Sequence, residues 1–578
     1  MIIGDEPQAS STLSTQVLII GRGPVGMTVA LRLAGFGIDC IIADPNGWQA
    51  IAGSKALCMQ TESMEILERI GCGKAMGSRG VSWPLGRTFY RGKEISQIRF
   101  PQYTGLGFPP FVNFAQRETE KLLLGRLREN TRIQKLFDHR LVSMQQDADG
   151  IDAVLEGPQG PMHCLAEYVI GCDGSRSTLR KEMGVVFSGT SYTTHFLIYD
   201  IRAELPYADE RRLHFDPSFN PGRTVLIHPL PEGDWHIDWQ VGGEPIDIEE
   251  ERRSGRADAR IRSMIGDLPY EILWLTSYAF RSLIADNIRV GRAFIVGDAA
   301  HLVSPYGARG LNSGIADADN LAWKLAYFMT GRGSEKLLDS YQAERLPTAA
   351  ENMRITDKTA QFMAPPTWLK NIKRRFLLAV SARFSFARRY INAGVFYQPA
   401  IYTASTVIQK QPDGPASMLS LCGKIAPDAA CVKAGITSDG TDKPFRLKEL
   451  MGHEFLTIIV ARSSFTLTAS DRDILSNWPD ELPLGRIALV APGWSADAVG
   501  EPLPGVMHLS DEKGAIVDAY LSATHSSGLV AFLIRPDSYI AAQWQFENFA
   551  TLAGWIGFVV GRSPEPIDGT LSAGKHKG

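Results

Sequence analysis

Six residues constrain this chain more than any others: Gly21-Arg22-Gly23-Pro24-Val25-Gly26 reads G-x-G-x-x-G. The hexapeptide stands between an apolar strand-like run, Gln16 to Ile20, and an apolar helical run, Pro24 to Ala34. After the Gly35-Phe36-Gly37 break, a second short strand from Asp39 to Ala43 delivers Asp44 at its end. Strand, helix, strand is one βαβ unit, so the N-terminus predicts an α/β, Rossmann-like domain. In such a unit Gly21 allows the tight turn, Gly23 lets backbone approach a pyrophosphate, and Gly26 lets the helix lie on the sheet, with the phosphates at the helix N-terminus. The spacing therefore predicts dinucleotide binding, with Asp44 accepting from ribose hydroxyls. The hexapeptide alone does not choose between NAD and FAD.

Composition narrows the partners. The chain has 578 residues, enough for about three to four domains with full cores. Lysine and arginine number 60 against 63 acidic residues, and a net charge of −3 gives no field for holding nucleic acid. The seven cysteines form no C-x-x-C pair and no zinc spacing, so they read as reduced thiols and no metal site is expected. Asp5 and Glu6 stand where a signal peptide carries positive charge, and no run approaches the ~18 apolar residues of a membrane span. The expectation is a cytoplasmic protein without an integral span.

The chain then changes character by segments. Residues 15–190 read as the first part of the dinucleotide domain. Residues 191–285 carry alternating runs such as Arg223 to His228 and Trp235 to Gln240 around a Pro231-Glu232-Gly233-Asp234 turn, predicting an antiparallel hairpin in an inserted sheet. Strand pattern resumes at Arg292 to Gly297 before a helix from Leu311 to Met329, so 286–350 reads as the first domain continued. A helical segment follows over 351–400, and 421–561 alternates strands and helices as a separate α/β domain.

Two further motifs choose the cofactor. Tyr168 to Arg180 places a buried strand before Asp173-Gly174, with Ser177 and Arg180 at fixed spacing. Gly291 to His301 delivers Asp298 at a strand end, and Pro305-Tyr306-Gly307-Ala308-Arg309-Gly310-Leu311-Asn312 is a second glycine-rich start of a helix. Over residues 15 to 350 these ordered motifs resemble the FAD-dependent aromatic hydroxylases, the family of p-hydroxybenzoate and phenol hydroxylases. The resemblance implies a glutathione-reductase-type FAD domain with an inserted mixed β-sheet for substrate. It further implies that Asp298 binds the ribityl chain, that Gly310, Leu311 and Asn312 line the flavin pyrimidine edge, that Gln116 contacts the flavin, and that the Asp173 region serves FAD and NAD(P)H.

The chain departs from its relatives in places. Lys55 and Glu62 stand in a segment where many members carry arginine, and lysine offers charge without a bidentate fork. Arg309 stands where glutamine is commoner; it reads either as a cation at the flavin edge or as a solvated residue at a helix start. Residues 423 to 561 resemble the thioredoxin-like domain appended to phenol hydroxylases, but Ala461-Arg462-Ser463-Ser464 follows the Phe455 to Val460 strand where a redox domain needs thiols. That domain is expected to be a packing or dimer-forming module, which implies a homodimer. The run Trp368 to Tyr390, basic and amphipathic, reads first as a helix packed between domains with a solvated basic face and second as a helix resting on an anionic membrane.

The resemblance implies NADPH or NADH as reductant, molecular oxygen added at flavin C4a as a hydroperoxide, and a phenolic substrate hydroxylated ortho to an existing hydroxyl. Substrate residues are expected from the insert. Alternation puts His236, Asp238 and Gln240 on one face of their strand and the aromatics on the other. With His228 they form the expected catalytic group, a histidine drawing the phenol proton. Tyr278 and Arg281 are second-choice contacts to the ring or nicotinamide. The rival readings are an epoxidase or dehydrogenase of the same superfamily, the halogenase signature W-x-W-x-I-P being absent, and a flavin-fold carrier without chemistry.

Overall fold

The apolar run before the glycine turn forms a parallel strand, Thr12–Ile20, whose last four residues are fully buried. It lies between Gly160–Gly171 and Cys40–Asp44, pairing Ile20 with Gly171 on one side and with Ala43 on the other. A strand buried on both faces reads as a continuous apolar run, which is why this part of the fold is visible in sequence. The computed structural model describes residues 12–48, 56–100, 106–207, 209–243, 246–381, 383–384, 387, 399–409, 420–433, 444–463, 467–476, 486–492, 503, 505–522 and 529–546. Two units result: Met1–Asp319 with Leu346–Gln398, and Asn320–Arg345 with Pro399–Gly578.

In the first unit the sheet runs Arg289–Val290, Ala293–Ile295, Gly160–Gly171, Thr12–Ile20, Cys40–Asp44 and Ile133–Phe137, parallel except at Arg289–Val290, with Arg140–Gln146 and Ile151–Gly157 added antiparallel at the side of Gly160–Gly171. The helix Pro24–Gly35 follows the glycine turn with Pro24 in its first turn, where a missing N–H costs nothing.

A second eight-stranded sheet carries the insert. Its order is His301–Leu302, Tyr270–Ala285, Phe187–Ala203, Asp234–Val241, Thr224–Pro229, Glu210–Phe215, Leu85–Tyr90 and Lys93–Arg99. The expected hairpin forms, and its alternation holds: Trp235, Ile237 and Trp239 pack with Leu197, Tyr199 and Ile201 against Ala257 and Ile261 of the helix Arg256–Ile265. The opposite face is left for the site. The last two strands come from outside 191–285, and Leu85–Tyr90 pairs with Glu210–Phe215 in parallel. Parallel pairing of Leu85 with Glu210, far apart in the chain, has no local turn signal, so sequence periodicity could not assign these strands.

The helical segment begins earlier than expected: one helix runs from Glu335 to Met363 with Pro347 inside it. The helix Trp368–Ser381 keeps Lys370, Lys373 and Arg375 exposed as expected, but differs from the first reading in two ways. Arg374 is buried and donates to the Met363 carbonyl, whereas Trp368, Leu369, Ile372 and Phe376 are exposed. No helix among the described residues is long and apolar enough to cross a membrane.

The second unit is built on a mixed sheet ordered Phe445–Arg446, Ala430–Lys433, Val506–Ser510, Arg486–Ala491, Leu456–Val460, Val530–Ile534 and Ile540–Gln545. Leu456–Val460, Arg486–Ala491 and Val506–Ser510 run parallel, and the two strands after them return antiparallel. Ser463 follows the Leu456–Val460 strand; Ser464 lies outside the described residues.

Candidate active site

The three glycines of the first turn have three different physical requirements. Gly21 adopts φ +102°, and a Cβ there would lie 2.4 Å from the Cys172 carbonyl oxygen. At Gly26 a Cβ would come within 1.9 Å of the Gly21 carbonyl oxygen. Gly23 is different, because a Cβ would meet nothing within 4 Å. Two glycines thus close the turn, and the third keeps open space beside the helix start.

Asp44 holds this turn from the next strand. Its Oδ2 accepts from the Arg22 backbone N–H at 2.8 Å, and its Oδ1 accepts from Asn46 N and Nδ2 at 2.8 and 2.9 Å. Arg22 in turn donates to the Gly47 carbonyl at 2.7 Å. Lys55 lies outside the described residues.

The second and third motifs are tied together. Asp173 Oδ2 accepts from Thr178 N and Leu179 N, at 2.7 and 3.2 Å, and Ser177 Oγ accepts from Arg180 N at 3.0 Å. These capping bonds fix the short helix Thr178–Glu182, from which Arg180 donates to the Ala299 carbonyl at 2.8 Å. Ala299 follows Asp298 in a 3-10 turn that begins at Gly297, with φ +61°. Asp317 anchors the same turn by accepting from Gly297 N at 3.2 Å, and its Oδ2 lies 2.7 Å from His301 Nε2. Asp298 is left exposed at the tip of this turn.

Asn312, in the first turn of the helix Arg309–Met329, uses its side chain as a clip. Its Oδ1 accepts from Gln60 N at 3.1 Å, and Nδ2 donates to the Cys58 and Ala308 carbonyls at 2.9 and 2.6 Å. Gln116, opening the helix Gln116–Glu129, accepts from Ala56 N at 3.2 Å and donates to Glu120 at 2.8 Å. Arg309 is not solvated: it is 3% exposed and donates to Asn352 Oδ1 at 2.7 Å.

A cavity of about 940 Å³ joins these elements to the second sheet. Gly23, Gln116, Asp298, Gly310, Leu311 and Asn312 line one part of it, and His228, His236, Asp238 and Tyr278 line another. Asp44, Arg281 and Gln240 are not among its lining residues; Arg281 is exposed, and Gln240 is buried, accepting from Thr224 N at 2.8 Å. The open space beside Gly23 fits the site a dinucleotide needs at a helix start; Asp173 is not among the lining residues, though Cys172 and Gly174 on either side of it are, and its buried Oδ1 has no hydrogen-bond partner among the described residues.

His228 and His236 face each other across the antiparallel pair, with ring centroids 6.2 Å apart. Their environments push them in opposite directions. Burial works against charge on His236, but Asp238 at 3.5 Å and Asp200 at 2.7 Å outweigh it and hold its pKa up to about 10. Burial takes His228 well below the ordinary histidine value, and the charges of Arg211 and His236 push it further down. His236 is therefore the imidazolium and His228 the neutral ring at pH 7.

Three functional candidates were not anticipated. Asp200 stood within the apolar run Phe196 to Ile201, and a carboxylate in a buried strand needs a partner, so a signal existed. Arg211 left none, since Glu210-Arg211-Arg212 reads as a solvated strand edge. In the structure Arg211 lines the cavity and stands 5.8 Å from the Trp83 ring centroid, and its side chain has no hydrogen bond or ion pair with another described residue. Asp317 is the third; nothing in the helix sequence distinguishes it.

A family described as FAD binding domain matches residues 14–356. A "3-(3-hydroxy-phenyl)propionate/3-hydroxycinnamic acid hydroxylase" of Mycolicibacterium smegmatis is 27% identical over 404 residues, covering 70% of this chain and 71% of its own. A "12-dehydrotetracycline 5-monooxygenase/anhydrotetracycline 6-monooxygenase" of Streptomyces rimosus is 28% identical over 565 residues, covering 91% of this chain and 94% of its own. Among solved structures, the flavin-dependent monooxygenase PieE in complex with FAD and substrate superposes with a TM-score of 0.76 at 19% identity, over 95% of this chain and 100% of that one. The match spans well over half of the chain and includes all three motifs, so the chain belongs to the FAD-dependent aromatic hydroxylase family and is an FAD-dependent monooxygenase.

Proposed function

We propose that this enzyme hydroxylates a phenolic ring, ortho to an existing hydroxyl, at the expense of NADPH or NADH. One observation carries the reading: a single cavity is lined both by the residues that would hold FAD and by a histidine–carboxylate group on the second sheet. Gly23, Asp298 and the Gly310 to Asn312 helix start would hold the cofactor, with Gln116 beside it. Bound FAD, once reduced, supplies activated oxygen to an electron-rich ring.

The protein's own contribution is to position the ring, exclude water and manage the phenol proton. Phe196, Phe280 and Tyr306 form an aromatic cluster at the cavity, with centroids 4.7 to 6.3 Å apart, suited to clamping a planar ring. Arg211 and the His236 imidazolium favour phenolate over phenol beside them. His228, kept neutral by burial and further by those same cations, has a lone pair to offer, and formation of an anion offsets the part of the shift that the cations cause. Asp238 and Asp200 keep His236 charged and oriented.

Arg211 also supports an acidic group on the substrate, the carboxylate of an aryl-alkanoic acid being the natural partner of a guanidinium in a low-dielectric wall. The M. smegmatis relative is named for such acids, a hydroxyphenylpropionate and a hydroxycinnamic acid. For the C-terminal unit, the reading is a thioredoxin-like, redox-inert module that supports a homodimer, in a cytoplasmic enzyme. Insulin-disulfide reduction by the intact protein would overturn the redox-inert part.

The test is substrate-dependent NAD(P)H oxidation across a panel of phenols, with product mass. A gain of one oxygen atom on a phenol, matched to reductant consumed, is the expected result; no stimulation by any phenol would remove the phenolic reading.

A further inference from the structure

The helix Trp368–Ser381 is apolar on the face that looks outward. Its inner side buries Arg374, Leu377, Leu378 and Ser381, and Leu378 packs with Ile95, Leu213, Phe215 and Met363. On the outer side Trp368, Leu369, Ile372 and Phe376 are 70%, 62%, 55% and 61% exposed, and Phe384 just beyond is 51% exposed. At about 100° per residue, Trp368, Ile372 and Phe376 form one stripe, and Lys373 and Arg375 fall on its two flanks. A helix that only packs on a soluble protein does not leave so many large apolar side chains together on its outer side.

The charge pattern points to one kind of occupant. From Lys358 to Pro412 the sequence contains no aspartate or glutamate, yet it carries Lys358, Lys370, Lys373, Arg374, Arg375, Arg383, Arg388, Arg389 and Lys410. Overall the chain carries 60 basic against 63 acidic residues, so this run stands out against an acidic remainder. A second copy related by a two-fold axis would set these like charges against each other. An anionic bilayer surface satisfies both halves of the pattern, because tryptophan and phenylalanine enter the headgroup boundary while lysine and arginine meet the phosphates.

We propose that this helix docks the enzyme on an anionic phospholipid surface as a peripheral, in-plane anchor. Lys370, Lys373, Arg374 and Leu377 line the cavity, as does Lys358, so Arg375 and Arg383 lead the basic side chains turned to lipid, and docking would set that wall of the cavity beside the bilayer.

The experiment sediments the full-length, FAD-loaded protein with vesicles of phosphatidylcholine alone and of phosphatidylcholine containing phosphatidylglycerol, at low and high salt. Pelleting with the anionic vesicles, weakened by salt, is expected. Each basic side chain near such a surface contributes about fivefold to partitioning, so Arg375→Glu with Arg383→Glu should weaken it by at least about 25-fold. Trp368→Ser with Phe376→Ser should abolish it, while melting temperature and flavin content stay at the parent values. Equal pelleting with both lipids, or none with either, overturns the proposal. So does a concentration-dependent dimer in sedimentation velocity that the Trp368→Ser, Phe376→Ser variant dissolves, because a second copy then covers the face.

Discussion

Glu344 accepts from Arg535 through both carboxylate oxygens, at 2.6 and 2.9 Å, with neither side chain reaching solvent. The same carboxylate accepts from Lys324 at 2.7 Å, Asn320 at 2.8 Å and Ser405 at 2.5 Å, and Asp537 takes the Arg535 Nε–H at 2.9 Å. Inside the second unit two carboxylates face a guanidinium and the Lys324 amine, whose pKa burial pulls down to about 7 against the pull of Glu344. Glu344→Ala leaves buried cations without their counter-charge, so it should cost about 3–5 kcal/mol in urea unfolding. Acid should act in the same direction. Burial disfavours ionised Glu344, but Arg535 and Lys324 outweigh it and hold the carboxyl far below its usual range. Its stabilisation is therefore complete above the unfolded value near 4.3 and is lost as pH falls through the folded one.

Gly23 and Gly26 lie three residues apart, yet alanine should affect them through different quantities. At Gly26 the added Cβ meets backbone at 1.9 Å, so Gly26→Ala must shift helix against turn and should lower stability by about 1–3 kcal/mol. At Gly23 the φ of −59° suits alanine and no atom is near, so Gly23→Ala should melt within a degree or two of the parent while retaining FAD poorly. Melting of the apoproteins and flavin fluorescence after gel filtration separate the two effects. Undiminished FAD retention in Gly23→Ala would mean that the open space is not where the cofactor passes.

What the sequence makes legible follows from how local each cause is. The glycine turn, the hairpin and the buried strands are set by neighbours within about ten residues, and alternation alone assigned Trp235, Ile237 and Trp239 to one face and His236 and Asp238 to the other. Pairings between distant segments were not legible: Leu85–Tyr90 beside Glu210–Phe215, the Arg180 bond to Ala299, and Asp200 beneath His236 depend on the closed fold. Asp44 shows a third case. Its position was read correctly, but its carboxylate holds the turn through Arg22, a use that spacing cannot distinguish from ribose binding.

Asp200→Asn tests the buried imidazolium. Since the folded pKa of His236 is raised to about 10, the stability it contributes is fully present below the unfolded value near 6.5 and is lost as pH rises through the folded one. Removing one of its two carboxylates moves that loss to lower pH. Melting temperature followed from neutral into alkaline solution should fall earlier in Asp200→Asn than in the parent; coincident alkaline limbs would show that Asp200 does not hold the charge.

The last prediction concerns the cavity wall, where the proposed hydroxylation depends on an anionic substrate form beside His228, Asp238 and Arg211. Loss of a working acid or base typically costs about 100- to 10,000-fold. His228→Ala and Asp238→Ala should therefore slow hydroxylation in that range while NAD(P)H is still consumed, so that peroxide appears in place of product. Arg211→Met should behave differently, because a guanidinium that binds a carboxylate acts on affinity. It should weaken binding of a hydroxyphenyl-alkanoic acid by about 10- to 100-fold, the range of a charge-assisted hydrogen bond, and leave the neutral phenol of the same shape almost unchanged. Flavin absorbance titrations with the acid and its methyl ester measure this directly. Equal losses for both ligands would make Arg211 a support for the wall through Trp83, and unchanged coupling in both His228→Ala and Asp238→Ala would move the proton-handling role elsewhere in the cavity.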